Sequence, residues 1–182
     1  MNIVVLGAGT VGTSIADLLC QHRHNVIVVD HDGENIAGIN ERLDVRAIHG
    51  SASQSSVLFQ AGVASADLCL AVTGNDEVNL IASQQAHELG AKKIIARLRN
   101  QQYTTRDSII KPEKFGIDLV IHPEKEACKE IVQLVRHSYA TQVMDFEGGR
   151  IQMIGIRLDE DSPIIGNGVF NCNETTEIKA SV

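Results

Sequence analysis

The stretch VVLGAGTVGTSIADLL, residues 4–19, decides the fold of this chain. Its glycines Gly7, Gly9 and Gly12 have the spacing G-x-G-x-x-G and lie between a β-branched run and an amphipathic run. This arrangement is expected where a strand turns tightly into a helix, because the glycines allow both the turn and the close packing of helix on strand. The N–H groups at the start of such a helix attract anions. The stretch therefore predicts a turn that holds a phosphate.

Short apolar runs recur along the first two thirds of the chain, with starts about 20 to 25 residues apart. None of them alternates with polar residues, so each is typical of a strand that is buried on both faces of a parallel sheet. Helical patterns separate the runs; Asp32 is predicted to cap the start of one helix, and Gly90 the end of another. The sequence predicts an α/β fold with a Rossmann-like, doubly wound parallel sheet of six strands. The predicted strands are Ile3–Leu6, Val26–Val29, Val45–Ile48, Leu68–Val72, Ile94–Ala96 and Leu119–Ile121.

The pattern changes after the sixth run. Residues 124–139 form a predicted helix whose apolar side chains extend beyond a single face of the helix. This pattern indicates contacts on two sides of the helix, one of them with another subunit. The following TQVMDFEGGRIQMIGIRL has two β-rich runs around Gly148 and Gly149 and predicts a hairpin. We therefore predict a nucleotide-binding domain over residues 1–122, a crossover and dimerisation helix over 123–140, and a partial, truncated C-terminal subdomain over 141–182.

A second candidate contact follows the second predicted strand. Asp30 lies eighteen residues beyond Gly12, where a carboxylate can accept hydrogen bonds from both hydroxyls of an adenosine ribose. The same carboxylate repels a 2′-phosphate, so NAD(H) or a nucleotide such as ATP or ADP is favoured over NADP(H). Later strand ends add candidates at the same edge of the sheet, because open α/β sheets bind ligands at the carboxyl ends of their strands. The predicted cofactor-binding residues are Gly7, Gly9, Thr10, Val11, Gly12, Asp30, His31, Ser51, Thr73, Gly74 and Arg97.

Composition and motifs argue against several other classes of function. The net charge of −7 argues against broad electrostatic binding to nucleic acid. The four cysteines form no C-x-x-C pair and no histidine belongs to an H-E-x-x-H pattern, so neither a metal site nor a catalytic constellation is predicted. The start of the chain has no signal-peptide pattern and no run long enough to span a membrane. We therefore expect a cytoplasmic protein that is not an enzyme.

Several longer blocks carry a resemblance to a known family. In chain order they are NIVVLGAGTVGTSIADLL, VIVVDHDGENI, HGSASQSSVLFQAGVASADLCLAVTGNDEVNL, KIIARLRNQQY and IDLVIHPEKEACKEI. Together, over about residues 1–140, they resemble the N-terminal RCK (KTN) domain of TrkA-type proteins, the cytosolic regulatory subunits of Trk/Ktr potassium transporters. The block A-G-x-x-x-A-D followed by T-x-x-D-E-x-N is far more specific than the glycines alone.

The resemblance implies roles for particular residues. It implies that the three glycines cradle phosphates, that Asp30 holds ribose, that Thr73 lines the site and that Arg97 contacts phosphate. It also implies that the helix after His122 packs against a second subunit. Many members of the family have an aspartate where this chain has Ser51, so one aspartate contact to the ligand is missing here.

The function expected from the resemblance is regulation of potassium transport. We expect a nucleotide-binding regulatory subunit at the cytoplasmic face of the membrane, switched by NAD(H) or by ATP/ADP. It would control a transmembrane potassium transporter subunit and self-associate as a dimer or larger ring. The residues do not decide between NAD(H), which we place first, and ATP/ADP as the ligand. One alternative is an NAD-dependent oxidoreductase whose substrate domain lies outside the chain; another is an assembly module with a vestigial site.

Overall fold

The computed structural model describes residues 1–105, 107–136, 140–146, 150–160, 162 and 165. Their contacts divide the chain into two compact units, Met1–Glu124 and Lys125–Val182. The strands are β1 Asn2–Leu6, β2 Asn25–Asp30, β3 Arg46–His49, β4 Leu68–Ala71, β5 Ile94–Arg97, β6 Leu119–Ile121, β7 Ala140–Phe146 and β8 Ile151–Ile156. The α-helices are α1 Thr10–Gln21, α2 Gly33–Arg42, α3 Ser55–Gln60, α4 Asp76–Leu89 and α5 Pro123–Arg136. Short 3-10 turns cover Val63–Ser65, Gln101–Tyr103 and Pro112–Phe115.

The first unit contains a parallel sheet with the strand order β3-β2-β1-β4-β5-β6. This order confirms the predicted Rossmann-like sheet. The order reverses between β1 and β4, and such a switch point opens a crevice at the carboxyl ends of the strands. Leu6 of β1 pairs with Val29 of β2 on one side and Ala71 of β4 on the other, so these three strands end close together.

The core lies on both faces of this sheet. In β1, Val4 and Leu6 contribute to an apolar cluster on one face, which includes Leu80 of α4. Ile3 and Val5 contribute to a second cluster on the other face, together with residues of α1 and α2. Side chains alternate across a strand, so a continuous apolar run supplies both clusters at once. Burial of each large aliphatic side chain contributes about 1.5–3 kcal/mol, which is why these strands carry no polar alternation.

The edge strand β6 differs from the prediction. Its run was expected to be buried on both faces, but Leu119 is 50% exposed and Ile121 is 36% exposed. The strand order explains the difference, because β6 pairs with β5 alone and ends the sheet. The apolar run therefore predicted the strand correctly and its burial wrongly.

Two predicted helix boundaries are confirmed by their local contacts. Asp32 caps α2, and its Oδ1 accepts a hydrogen bond of 2.9 Å from the N–H of Glu34. Gly90 ends α4 with φ +101°, a left-handed conformation that side chains disfavour. The start of α4 has a cap of its own, since Asn75 Oδ1 accepts a hydrogen bond of 2.8 Å from the N–H of Val78.

The second unit contains the predicted hairpin. Strands β7 and β8 pair in antiparallel fashion, with Val143 opposite Ile154, so the hairpin is confirmed. Three predicted parts lie outside the described residues: the Gly148-Gly149 turn, residues 137–139 of the predicted helix, and residues 166–182 of the predicted C-terminal subdomain. The side chains of Ile131 and Val135 on α5 are exposed, and a subunit contact there stays a prediction, as do the domain limits. Among the described helices, none has the length and apolar character that crossing a membrane would require.

Candidate functional site

The turn after β1 is built so tightly that two of its glycines cannot be replaced. Gly7 has φ +111°, and a Cβ on it would lie 2.9 Å from the backbone of Thr73 after β4. A Cβ on Gly12 would lie 1.8 Å from the carbonyl oxygen of Gly7. The first glycine thus allows β1 and β4 to approach at their ends, and the last allows α1 to rest on the turn.

The surroundings of Gly9, the middle glycine of the motif, are different. A Cβ on Gly9 would meet no atom within 4 Å. Gly9 is also the N-terminal cap of α1 and provides no side-chain hydrogen bond to the first turn of that helix. The N–H groups of this turn and the positive end of the helix dipole therefore face open space, which suits an anion.

Asp30, at the end of β2, is only 7% exposed and holds the turn in place. Its Oδ2 accepts a hydrogen bond of 2.5 Å from the N–H of Ala8, and its Oδ1 accepts one of 2.8 Å from the N–H of Asp32. His31 Nδ1 lies 3.2 Å from the same Oδ1. A carboxylate oxygen can accept two hydrogen bonds, so Oδ2 keeps capacity for a ligand hydroxyl, whereas on Oδ1 such a hydroxyl competes with His31 Nδ1.

Two adjoining cavities form one crevice at the carboxyl edge of the sheet. We name them by a residue that lines only one: the Ser51 cavity, of about 400 Å³, and the Arg97 cavity, of about 280 Å³. Both are lined by Gly7, Asp30, His31, Thr73 and Gly74. The Ser51 cavity adds Val29, Ser51, Ala52, Asn75 and Val78. The Arg97 cavity adds Gly9, Thr10, Val11, Asn35, Val72, Arg97 and Arg99.

The crevice thus brings together ten of the eleven predicted site residues. The exception is Gly12, which lies behind the turn against Gly7 and lines neither cavity. Ser51 lines the Ser51 cavity, and its hydroxyl lies 2.8 Å from the hydroxyl of Ser53, which does not line the cavity.

Arg97, the last residue of β5, brings a positive charge to the crevice. It is 9% exposed, and its Nε has no hydrogen-bond partner within the part of the chain that the structure describes. A buried N–H without an acceptor is costly, and a guanidinium matches the oxygen pairs of a phosphate. The residue therefore fits an anion in the Arg97 cavity.

The T-x-x-D-E-x-N block supplies contacts that sequence reasoning missed. Asn79, fully buried, bonds to the backbone of both Thr73 and Arg97. Asp76 Oδ2 accepts hydrogen bonds of 3.0 Å and 2.8 Å from the N–H groups of Arg99 and Asn100. The spacing of the block on α4 marked it as a family motif, but it could not show that Asn79 contacts the last residue of β5 and that Asp76 contacts the loop after β5.

Another residue of the block, Glu77, contacts the same loop. Its Oε1 accepts a hydrogen bond of 2.8 Å from the hydroxyl of Tyr103. This bond, with desolvation, raises the pKa of the Tyr103 phenol. Asp76 and Glu77 therefore connect the start of α4 to the loop after β5, and they line neither cavity of the crevice. Among the described residues, no group of three or more His, Cys, Asp or Glu side chains is arranged to hold a metal.

The family of the chain follows from comparison with known proteins. A model of the TrkA-N domain matches residues 3–123. The chain belongs to the TrkA-N domain family. The chain is 39% identical over 167 residues to the Trk system potassium uptake protein TrkA of Halomonas elongata. The alignment covers 91% of this chain and 36% of that protein. The chain is 40% identical over 169 residues to the TrkA homolog of Archaeoglobus fulgidus, covering 93% and 38%. The chain thus spans little more than a third of the length of these curated relatives.

Solved structures share the fold of this TrkA-N domain. The GsuK channel bound to NAD has a TM-score of 0.61 and 18% identity, covering 80% of this chain and 25% of the channel chain. GsuK bound to ADP has a TM-score of 0.57 and 19% identity, covering 66% and 31%. At such identities the likeness concerns the fold.

Proposed function

We propose that this TrkA-N domain binds an adenine nucleotide in the crevice and thereby regulates potassium uptake. The ligand is NAD(H) first, with ATP or ADP as the alternative. The observation that carries the proposal is the convergence of Gly9, Asp30 and Arg97 on one crevice. The names of the curated relatives support the potassium system, and the NAD and ADP of the GsuK structures support the class of ligand.

The phosphates are assigned to the Arg97 cavity. There the uncapped start of α1 offers N–H donors above Gly9, where no side chain intrudes. On the other wall, Arg97 offers a buried Nε–H that has no acceptor among the residues that the structure describes. Charge-assisted hydrogen bonds from guanidinium to phosphate are roughly twice as strong as neutral ones, so this cavity supplies most of the affinity.

The nucleoside is assigned to the Ser51 cavity. Apolar side chains of Val29, Ala52 and Val78 line it, as suits the faces of a purine. Asp30 lies between the two cavities, where its free lone pairs would accept hydrogen bonds from the ribose hydroxyls. The proposed contact residues are the ten predicted residues that line the crevice, with Gly12 supporting the turn from behind.

Regulation requires that the ligand bind two arrangements of the protein with different affinity. We infer that TrkA-N domains associate as a dimer or larger ring at the cytoplasmic face of the membrane, and that ligand occupancy biases that assembly on a transmembrane potassium transporter subunit. In this proposal the domain binds and transmits, and it performs no reaction. Solution scattering with saturating NADH and with saturating ATP tests whether the ligand changes the assembly. We expect different assembly dimensions with the two ligands, and identical scattering profiles would contradict this regulatory step.

Binding itself is tested by calorimetric titration with NAD⁺, NADH, ATP and ADP. Asp30→Asn removes the charge and one acceptor from the crevice, so affinity should fall by about tenfold or more. Asp32→Asn is the matched control, because Asp32 lines neither cavity and lies two residues away. A ligand at about one hundred times its Kd should also stabilise the wild-type domain by roughly 2.7 kcal/mol. If no nucleotide binds, the proposed function is wrong.

A further inference from the structure

The side chain of Asn79 is fully buried behind the crevice and bonds to the ends of two strands. Its Oδ1 accepts hydrogen bonds from the N–H and the hydroxyl of Thr73, at 3.0 Å and 2.7 Å. Its Nδ2 donates to the carbonyl of Thr73 at 3.2 Å and to that of Arg97 at 2.8 Å. One amide therefore connects the segment after β4 to the last residue of β5.

The partners of this amide require an asparagine. The N–H of Thr73 can only donate, and the carbonyl of Arg97 can only accept, so the two ends of the Asn79 amide are fixed. An aspartate would place a second oxygen against two carbonyls, and an aliphatic side chain would remove the hydrogen bonds to the Thr73 N–H and to the buried Arg97 carbonyl. The connection depends on the chemistry of the amide as well as its size.

The two residues joined by Asn79 have different places in the crevice. Thr73 lines both cavities, whereas Arg97 lines only the Arg97 cavity. Asn79 itself lines neither. The amide therefore connects the wall that both cavities share to the wall where the phosphates are assigned.

We propose that Asn79 is a positioning residue that holds the Arg97 cavity at the width a phosphate needs, without touching the ligand. The inference rests on the proposed function, because it assumes that phosphates occupy that cavity. Ser51, Ala52 and Val29, which line the other cavity, are held by other elements. Thr73 lines both cavities, but its hydroxyl also donates a hydrogen bond of 3.1 Å to the carbonyl of Asn75. Loss of the amide should therefore weaken binding of the phosphates far more than binding of the nucleoside.

The test compares adenosine with ADP on two variants and a control. Asn79→Asp keeps the acceptor for Thr73 and turns the contact to Arg97 into a repulsion. Asn79→Ser is neutral and too short to reach Arg97, so it separates loss of position from the effect of an added charge. The control is Ser83→Ala, because Ser83 is also fully buried on α4 and its hydroxyl has no hydrogen-bond partner among the described residues. Thermal unfolding of each variant measures the effect on stability.

The expected result is a change in the ratio of the two affinities. Both Asn79 variants should bind ADP about tenfold more weakly and adenosine within about twofold of the wild type. Ser83→Ala should leave both affinities unchanged. If the variants are less stable but keep the ratio, Asn79 is only structural and the inference is wrong. If Asn79→Asp alone changes the ratio, its charge is the cause and the inference is also wrong. If the wild type binds neither ligand, the proposed function fails first.

Discussion

Asp30 Oδ2 accepts a hydrogen bond from the backbone N–H of Ala8, which joins the end of β2 to the glycine turn after β1. The bond spans 22 residues of sequence and is buried. Asp30 was predicted only as a ribose contact, but it also fixes the turn on which the phosphates are proposed to rest. The residue proposed to recognise the nucleoside therefore helps to shape the site for the phosphates.

The first prediction separates the two glycines that close the G-x-G-x-x-G turn. Gly12→Ala places a methyl group 1.8 Å from the carbonyl oxygen of Gly7, so we expect a loss of about 3 kcal/mol or more in the free energy of unfolding. Gly9→Ala meets no atom within 4 Å and should fold with a loss of about 1 kcal/mol or less. Its methyl group lies where the ligand approaches, so nucleotide affinity should fall by about tenfold. Urea unfolding and calorimetry measure both; equal stability of the two variants would contradict the structure of the turn.

The second prediction concerns the choice between NAD⁺ and NADP⁺. A 2′-phosphate would lie beside the buried Asp30 carboxylate. The repulsion should weaken the binding of NADP⁺ by about tenfold or more relative to that of NAD⁺. Asp30→Asn should reduce this difference in affinity and should also weaken the binding of NAD⁺. Competition titrations give both ratios. Equal binding of the two dinucleotides by the wild type would place the ribose elsewhere.

The third prediction concerns Asp67, which precedes β4. A hydrogen bond from Lys92 lowers the pKa of this carboxyl most, and one from the N–H of Asn2 lowers it further. A lowered folded-state pKa gives stability that is present above the ordinary value of 3.8 and is lost as the pH falls through the folded-state value. The difference in unfolding midpoint between wild type and Asp67→Asn should thus stay constant near neutral pH and close in the acid range. A difference that does not change with pH would contradict the ion pair.

The fourth prediction uses the cysteines. Cys69 in β4 is fully buried, and desolvation raises the pKa of its thiol to about 12, whereas Cys128 on α5 is exposed. The thiolate is the reactive form, so an alkylating agent should modify Cys128 in the folded protein and spare Cys69. Peptide mapping by mass spectrometry identifies the modified residue. Modification of Cys69 without denaturant would show that the sheet opens far more readily than its burial indicates.

Local signals explain which parts of the structure could be predicted. The cap at Asp32 and the stop at Gly90 depend on their own helices, and both are found where the sequence indicated. The exposure of Leu119 depends on the position of β6 at the edge of the sheet, which its apolar run does not encode. Asn79 could not be assigned either, because its partner Arg97 is 18 residues away and meets it only when β4 and β5 pair.

The most direct test of the nucleotide crevice is the mapping of amide chemical shifts in the ¹⁵N-labelled protein during titration with ADP and NAD⁺. We predict the largest shifts at Gly7, Gly9, Thr10, Thr73 and Gly74, which line the Arg97 cavity. Thr13, Asp17 and Arg42 line a neighbouring groove that shares Gly9 and Thr10 with this cavity, and these three residues should show small shifts by comparison. Shifts confined to Thr13, Asp17 and Arg42 or to the β7–β8 hairpin, with Gly9 and Thr73 unchanged, would contradict a nucleotide site in the crevice.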